Sequence, residues 1–244
     1  MRCAILDDDR AQTELVAKLL AGAGHRSEIF HQGRTLISRL RQDTFDLLIL
    51  DWTMPGMTGI EVLEVVRQGR HADLPVLMIT SRSSDEDVVA GLAAGADDYV
   101  VKPLVPAVFL ARVEAVLRRA GLNRPAKRLV QHGIYRFDLA AETATVDGVP
   151  VKLTAKEMAL AVALFENMSR PLSRSYLLES IWGQSPDIET RTLDAHVSRI
   201  RSKLRLSPAN GFRILPVYSY GYRLEPVEGM AAGTEDEPAM VAAG

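Results

Sequence analysis

Three aspartates directly follow short apolar runs: Asp7 and Asp8 come after Arg2 to Leu6, and Asp51 comes after Asp46 to Leu50. If folding draws them together and all are ionised, each pair about 4 Å apart repels by roughly 4 kcal/mol at an effective dielectric of 20. A divalent cation answers that repulsion, and an all-oxygen site with open water positions suits Mg2+. Lys102, after the fifth apolar run, adds a positive charge. Phosphoryl transfer asks a protein for a nucleophile, for cations near the equatorial oxygens, and for little else. These residues make up that set. Asp51 is the nucleophile, Asp8 a direct metal ligand and Asp7 a ligand acting through water, with the backbone carbonyl of Trp52 completing the donors. The Thr80 hydroxyl and the Lys102 ammonium are expected to hold phosphoryl oxygens.

Elements able to position these groups are visible in the patterning. Short apolar runs at Arg2 to Leu6, Ser27 to Phe30, Asp46 to Leu50, Pro75 to Thr80 and Asp98 to Val101 alternate with amphipathic stretches near 10–22, 33–42, 58–68, 85–94 and 105–119. That alternation predicts an α/β unit, a parallel sheet covered on both faces, in which ligands gather at the carboxyl ends of the strands. Residues 1–120 form this unit, and 121–130, with Gly121, Asn123, Arg124 and Pro125, are expected to be a linker. Residues 131–226 follow a different, α+β pattern. It has short strands with a turn at Asp147-Gly148, a capping box at Thr154 to Glu157 opening a helix to about Met168, and a second helix from near Ser173 to Ile181. A third helix runs from about Thr190 to Leu206, and a hairpin closes the unit near 212–224. The tail 227–244 lacks periodicity and is expected to be disordered.

The net charge of −2 over 244 residues conceals an uneven distribution. Residues 1–120 carry 14 Lys and Arg against 17 Asp and Glu, residues 121–226 carry 15 against 10, and the tail carries four acids and no base. An acidic N-terminal half thus precedes a basic C-terminal half, a balance compatible with nucleic acid but insufficient to establish it. Cys3, the single cysteine, sits in an apolar run and reads as a buried inert thiol. No apolar run approaches the ~18 residues of a membrane span, and nothing resembles a signal peptide, so the expectation is a cytoplasmic protein with no membrane partner.

Four motifs at the strand ends carry a family resemblance. Leu6-Asp7-Asp8-Asp9, Leu50-Asp51-Trp52-Thr53-Met54-Pro55-Gly56, Met78-Ile79-Thr80-Ser81, and Gly95-Ala96-Asp97-Asp98-Tyr99 with Lys102-Pro103 resemble the receiver domain of bacterial response regulators. The resemblance implies a flavodoxin-like (βα)5 fold with strand order 2-1-3-4-5, a histidine kinase as phosphoryl donor, a cis Lys102-Pro103 bond, and Thr80 and Tyr99 moving together as a switch. Homodimerisation on phosphorylation is also implied, through the fourth and fifth helices, for which Asp97, Asp98, Arg112, Arg118 and Arg119 remain as matching charges. Ala90 and Val108 stand where related DNA-binding proteins usually carry a basic and an acidic residue, so that particular bridge is lost. Ser81 replaces a frequent alanine and narrows access to the site.

In the third C-terminal helix Leu193, Val197, Ile200 and Leu204 form an apolar stripe, while Arg191, His196, Ser198, Arg199, Arg201, Lys203 and Arg205 occupy the remaining surface. Such a helix suits the major groove of duplex DNA. Residues 131–225 resemble the winged helix-turn-helix effector of the OmpR/PhoB subfamily, through Leu153 to Glu157, Leu177 to Gly183, Arg191 to Val197 with Arg199 to Arg201, and Gly221 to Arg223. The resemblance places Arg191, His196, Ser198, Arg199 and Arg201 on DNA-contacting positions and the loop Gly183 to Glu189 where RNA polymerase is met. Lys203 and Arg223 join the candidate DNA contacts. In the wing, Val217-Tyr218-Ser219-Tyr220 replaces the usual arginine and glycine, and Tyr218 and Tyr220 are taken as cross-strand partners in the hairpin rather than backbone contacts to DNA.

Two other functions compete. An aspartyl phosphatase would need a second acid two residues after Asp51, where Thr53 stands, so the chain is not expected to be an enzyme. A receiver serving only as an unphosphorylated dimer module would leave the acidic set without a use.

Overall fold

A computed structural model describes residues 1–81, 85–122, 129–183 and 190–227, with the side chains of 85–88, Thr190 and Arg191 excepted. The N-terminal unit runs β1 (Arg2–Leu6), α1 (Arg10–Gly22), β2 (Arg26–Phe30), α2 (Gly33–Leu40), β3 (Leu47–Asp51), α3 (Gly59–Gln68), β4 (Val76–Thr80), α4 (Asp85–Ala93), β5 (Asp98–Val101) and α5 (Pro106–Arg119). The strands are parallel in the order β2-β1-β3-β4-β5.

Successive strand side chains point to opposite faces, so one apolar run feeds two cores. Cys3, Ile5, Leu47, Ile49, Leu77 and Ile79 pack with Val16 and Leu20 of α1 and with Phe109, Val113 and Val116 of α5. Ala4, Leu6, Leu48, Leu50, Val76 and Met78 pack on the other face with Leu36 and Leu40 of α2 and with Val62, Leu63 and Val66 of α3. Burial pushes the Cys3 thiol up to about 12, as befits an inert core residue. The helices start on local signals: Asp9 caps α1 by accepting from the N–H groups of Ala11 and Gln12, and Thr58 with Glu61 forms a capping box on α3. The Lys102-Pro103 peptide is cis.

The C-terminal unit opens with an antiparallel sheet of β6 (Leu129–His132), β7 (Tyr135–Asp138), β8 (Thr143–Val146) and β9 (Val149–Val151). Its first strand begins inside the segment read as linker, because Val130 is a core residue paired with Phe137. Asp147 and Gly148, both at positive φ, make the tight turn between β8 and β9. Then come α6 (Ala155–Glu166), β10 (Leu172–Ser173), α7 (Arg174–Trp182), α8 (Thr190–Lys203), β11 (Phe212–Val217) and β12 (Gly221–Pro226), the last two forming a hairpin whose β12 also pairs with β10. The capping box of Thr154 and Glu157 starts α6. The stripe Leu193, Val197, Ile200 and Leu204 is buried against Leu160, Leu164 and Phe165. Among the described residues no helix is long and apolar enough to cross a membrane. The expected linker residues 123–128, the loop 184–189 and the tail 228–244 lie outside the described residues.

Candidate functional site

Asp7 directly follows β1, Asp51 ends β3, Thr80 ends β4, and Lys102 directly follows β5. Parallel pairing of these strands brings all four to one edge of the sheet. Carboxylate oxygens of Asp7, Asp8 and Asp51 lie within 4.8 Å of one another, with Asp7 and Asp51 buried and Asp8 exposed at the mouth. The Lys102 ammonium bridges the buried pair, at 2.8 Å from Asp51 Oδ1 and 3.1 Å from Asp7 Oδ2. The remaining oxygens are aligned by backbone: Asp51 Oδ2 accepts the Thr53 N–H at 3.1 Å, and Asp7 Oδ1 accepts the Asp9 N–H at 2.9 Å.

One ammonium does not neutralise three carboxylates. Burial, and secondarily the charge of Asp7, hold the Asp51 carboxyl above its usual pKa, although Lys102 and the Thr53 N–H pull the other way. The lysine responds in kind, since its hydrogen bonds to Asp51 and Asp7 overcome the depression that burial alone would impose and raise its pKa. The uncompensated charge equals that of one divalent cation, and the donors are all oxygen, so the residues present fit Mg2+.

The Trp52 carbonyl, the remaining expected donor, accepts the Gly59 N–H at 2.9 Å, closing the β3–α3 loop. Gly59 has no alternative there, because a Cβ would stand 2.2 Å from the Asp51 carbonyl oxygen. The Trp52 ring lies against Gly91 of α4, where a Cβ would meet it at 2.6 Å. Tyr99 is half-buried, with the Arg112 guanidinium 5.6 Å from its ring centre.

Four of the five charges assigned to a dimer face are paired within the chain, and the fifth, Arg118, is exposed. Asp98 meets Arg112 at 2.7 Å and Arg119 at 3.4 Å, while Asp97 meets Arg67 at 3.0 Å and accepts the Val76 N–H. Beside them Val89, Leu92 and Val108 are exposed apolar side chains on α4 and α5.

The expected DNA-facing residues divide similarly. Ser198 and Arg199 are exposed on α8. Lys203 instead binds the buried Glu157 of the α6 capping box at 2.7 Å, and Arg201 donates to the Ile214 carbonyl on β11 at 3.1 Å. His196 Nδ1 lies 2.7 Å from the Thr192 carbonyl oxygen, and its ring stands edge-on to Trp182. Arg223 pairs with Glu225 at 2.5 Å. The side chain of Arg191 lies outside the described residues. The wing tyrosines are not the cross-strand pair expected of them. Tyr218 is 93% exposed, and Tyr220 is buried against the N-terminal unit, its hydroxyl 2.7 Å from Thr44 Oγ1. Both occupy the turn between β11 and β12, outside the ladder, so neither has a residue opposite it. Tyr222, within β12, ties the hairpin to α8 by donating to Asp194 at 2.6 Å.

Sequence reasoning missed the residues that join the two units. Asp43, Thr44 and Asp46 precede β3, and Arg170, Ser173, Ser175 and Tyr176 receive them. No periodicity or motif marks these positions, because their partners lie more than a hundred residues away along the chain.

Residues 3–114 match the family described as "Response regulator receiver domain", and residues 148–224 match "Transcriptional regulatory protein, C terminal". The sensory transduction protein RegX3 of Mycolicibacterium smegmatis is 35% identical over 224 residues, covering 91% of this chain and 97% of that protein. The DNA-binding response regulator MtrA of the same organism is 36% identical over 225 residues, covering 92% and 97%. Among solved structures, the response regulator DrrB of Thermotoga maritima, an OmpR/PhoB homolog, aligns over 92% of this chain and 98% of its own at 29% identity, with a TM-score of 0.45. A receiver bearing an acidic pocket, joined to a winged-helix effector and matched over nine-tenths of the chain by RegX3 and MtrA, places the chain among the OmpR/PhoB-type response regulators, the DNA-binding transcription regulators of two-component systems.

Proposed function

We propose that Asp51 is the phosphoacceptor and that its esterification by a histidine kinase controls how the effector domain engages promoter DNA. The observation that carries this reading is the ammonium of Lys102, at the carboxyl end of β5, held between Asp51 and Asp7 at the carboxyl ends of β3 and β1. Asp7, Asp8 and Asp51 would hold Mg2+, which when bound supplies positive charge against the transferring phosphoryl oxygens. Asp51 attacks phosphorus through a carboxylate oxygen. The new P–O bond forms as the P–N bond of the donor phosphohistidine breaks, and its electron pair stays on the imidazole. Lys102 then pairs with a phosphoryl oxygen in place of the lost carboxylate charge, and the Thr80 hydroxyl donates to another. Thr80 and Tyr99 relay the change to the α4–β5–α5 face. There Val89, Leu92 and Val108 offer an apolar surface to a second copy, flanked by Asp97, Asp98, Arg112, Arg118 and Arg119.

The dimer presents two copies of α8 to neighbouring half-sites of duplex DNA. Ser198 and Arg199 make the principal α8 contacts, with Arg191 and His196 nearer its start. The segment from Gly183 to Glu189 is the proposed contact with RNA polymerase. The protein acts as a regulator in the cytoplasm and does not turn over a substrate. Incubation with acetyl phosphate and Mg2+ should add the mass of one phosphoryl group to the peptide containing Asp51. That product should be absent from Asp51→Asn and from protein treated with a chelator, and equal labelling of Asp51→Asn would overturn the assignment.

A further inference from the structure

The two domains meet through buried polar groups rather than through an apolar seam. Asp43 Oδ1, fully buried, accepts from the hydroxyls of Ser173 at 2.5 Å and Ser175 at 2.6 Å, while Arg2 and Arg39 of its own domain hold the same carboxylate. Thr44 and Ser173 exchange reciprocal bonds: each backbone N–H donates to the other's hydroxyl, at 3.2 and 2.8 Å. Asp46 takes Arg170 at 3.0 Å and the Tyr176 hydroxyl at 3.1 Å. Tyr220, in the turn of the wing, is held by Thr44 and lies beside Arg70 and His71 of the receiver.

The position of this dock in the sheet gives it a role. Strand β1 begins beside it at Arg2 and β3 directly follows Asp46, and at their other ends Asp7, just after β1, and Asp51, the last residue of β3, line the acidic pocket. On the effector side the same contacts fall on Ser173, the N-cap of α7, and on Tyr220 beside β12, whose Tyr222 is bonded to α8. A continuous path of sheet, dock and hairpin thus connects the receiver frame to the DNA-facing helix. The exposed face of α8 is not covered by the dock. The dock therefore fixes where α8 points without closing it off from DNA.

We infer that the Asp43 dock is an interdomain latch that makes the two domains one rigid body and so sets the spacing of half-sites that the protein accepts. The spacing role rests on the dimer reading above, whereas the rigidity does not. With the latch closed, two-fold pairing of receivers places the two α8 helices at a fixed separation and orientation, and operator geometry must match it. With the latch open, the domains are joined only by the connecting segment and any spacing within its reach is accepted.

The test uses the full chain in three forms. Ser175→Glu sets a second carboxylate against Asp43, while an acid near a helix N-terminus spares the fold of α7. A Thr44→Cys, Ser173→Cys pair closes the latch covalently on oxidation; the Cys3 thiol, with its pKa pushed up to about 12 in the core, does not compete. Amide relaxation by NMR should give the two domains of the wild type one rotational correlation time, and those of Ser175→Glu two. Selection from a random duplex library, with each protein activated by beryllofluoride and Mg2+, should recover one dominant spacing for the wild type and the oxidised cross-linked form, and loss of that preference for Ser175→Glu.

Separate tumbling in the wild type, or unchanged tumbling in Ser175→Glu, would overturn the latch. Retained spacing preference in an uncoupled Ser175→Glu, or loss of paired-site binding on oxidation that reduction restores, would overturn its role in spacing. A wild type that tumbles as one body yet recovers only single half-sites would instead remove the dimer reading, and the spacing role with it.

Discussion

At the scale of the residue, the pocket stores electrostatic strain. Asp51 has its pKa raised in the folded state, so the protonated carboxyl is favoured there relative to the unfolded chain. The associated stability is present below the ordinary aspartate range and is lost as the pH rises through the raised value, leaving Asp51 a net cost at neutral pH. Asp51→Asn should therefore raise the melting temperature of the metal-free protein by a few degrees, on the order of 1 kcal/mol for one partly compensated carboxylate. Mg2+ should stabilise the wild type and leave Asp51→Asn nearly unmoved, which differential scanning calorimetry with and without a chelator would check. The pocket was legible in sequence because its side chains stand at the ends of apolar runs, and parallel pairing gathers such ends at one edge. The hydrogen bond between the Trp52 carbonyl and Gly59 was not, because the partner of a backbone oxygen depends on how the loop closes.

At the scale of the element, α8 divides its cations between holding the domain and reaching outward. Lys203 is bound to Glu157, whose carboxyl is held below its usual pKa by Lys203 and the Thr154 N–H against the opposing effect of its own burial. Lys203→Ala should lower the melting temperature by several degrees, since it strands a buried carboxylate, and leave the salt dependence of DNA binding nearly unchanged. Arg199→Ala should do the reverse: unaltered melting, weaker binding, and a salt slope reduced by about one. Thermal melts and binding titrations over a range of salt concentrations separate the two. The apolar stripe of α8, both capping boxes and the five parallel strands could be read from spacing, since each is a local pattern with a period of its own. The pairing of Lys203 with Glu157 was not legible, because helical periodicity shows which face a residue occupies but not whether a neighbouring helix carries its counter-ion. Tyr220 was misread for a related reason, its neighbours being Thr44, Arg70 and His71 of the other domain.

At the scale of the whole molecule, an acidic receiver and a basic effector share a polar interface that no local pattern announced. Asp43, Thr44 and Asp46 are ordinary residues between a helix and a strand until Arg170, Ser173 and Tyr176 arrive from the other domain. On the proposed reading, charge at one edge of the receiver sheet acts on DNA through the dimer face and this junction together. The most direct measurement of that coupling is the affinity of the full chain for its selected duplex, with and without beryllofluoride and Mg2+, in wild type and Asp51→Asn. Affinity should rise by about tenfold or more in the wild type, equivalent to at least ~1.4 kcal/mol of coupling, and stay flat in Asp51→Asn. Equal affinities in all four conditions would contradict control of DNA binding through Asp51.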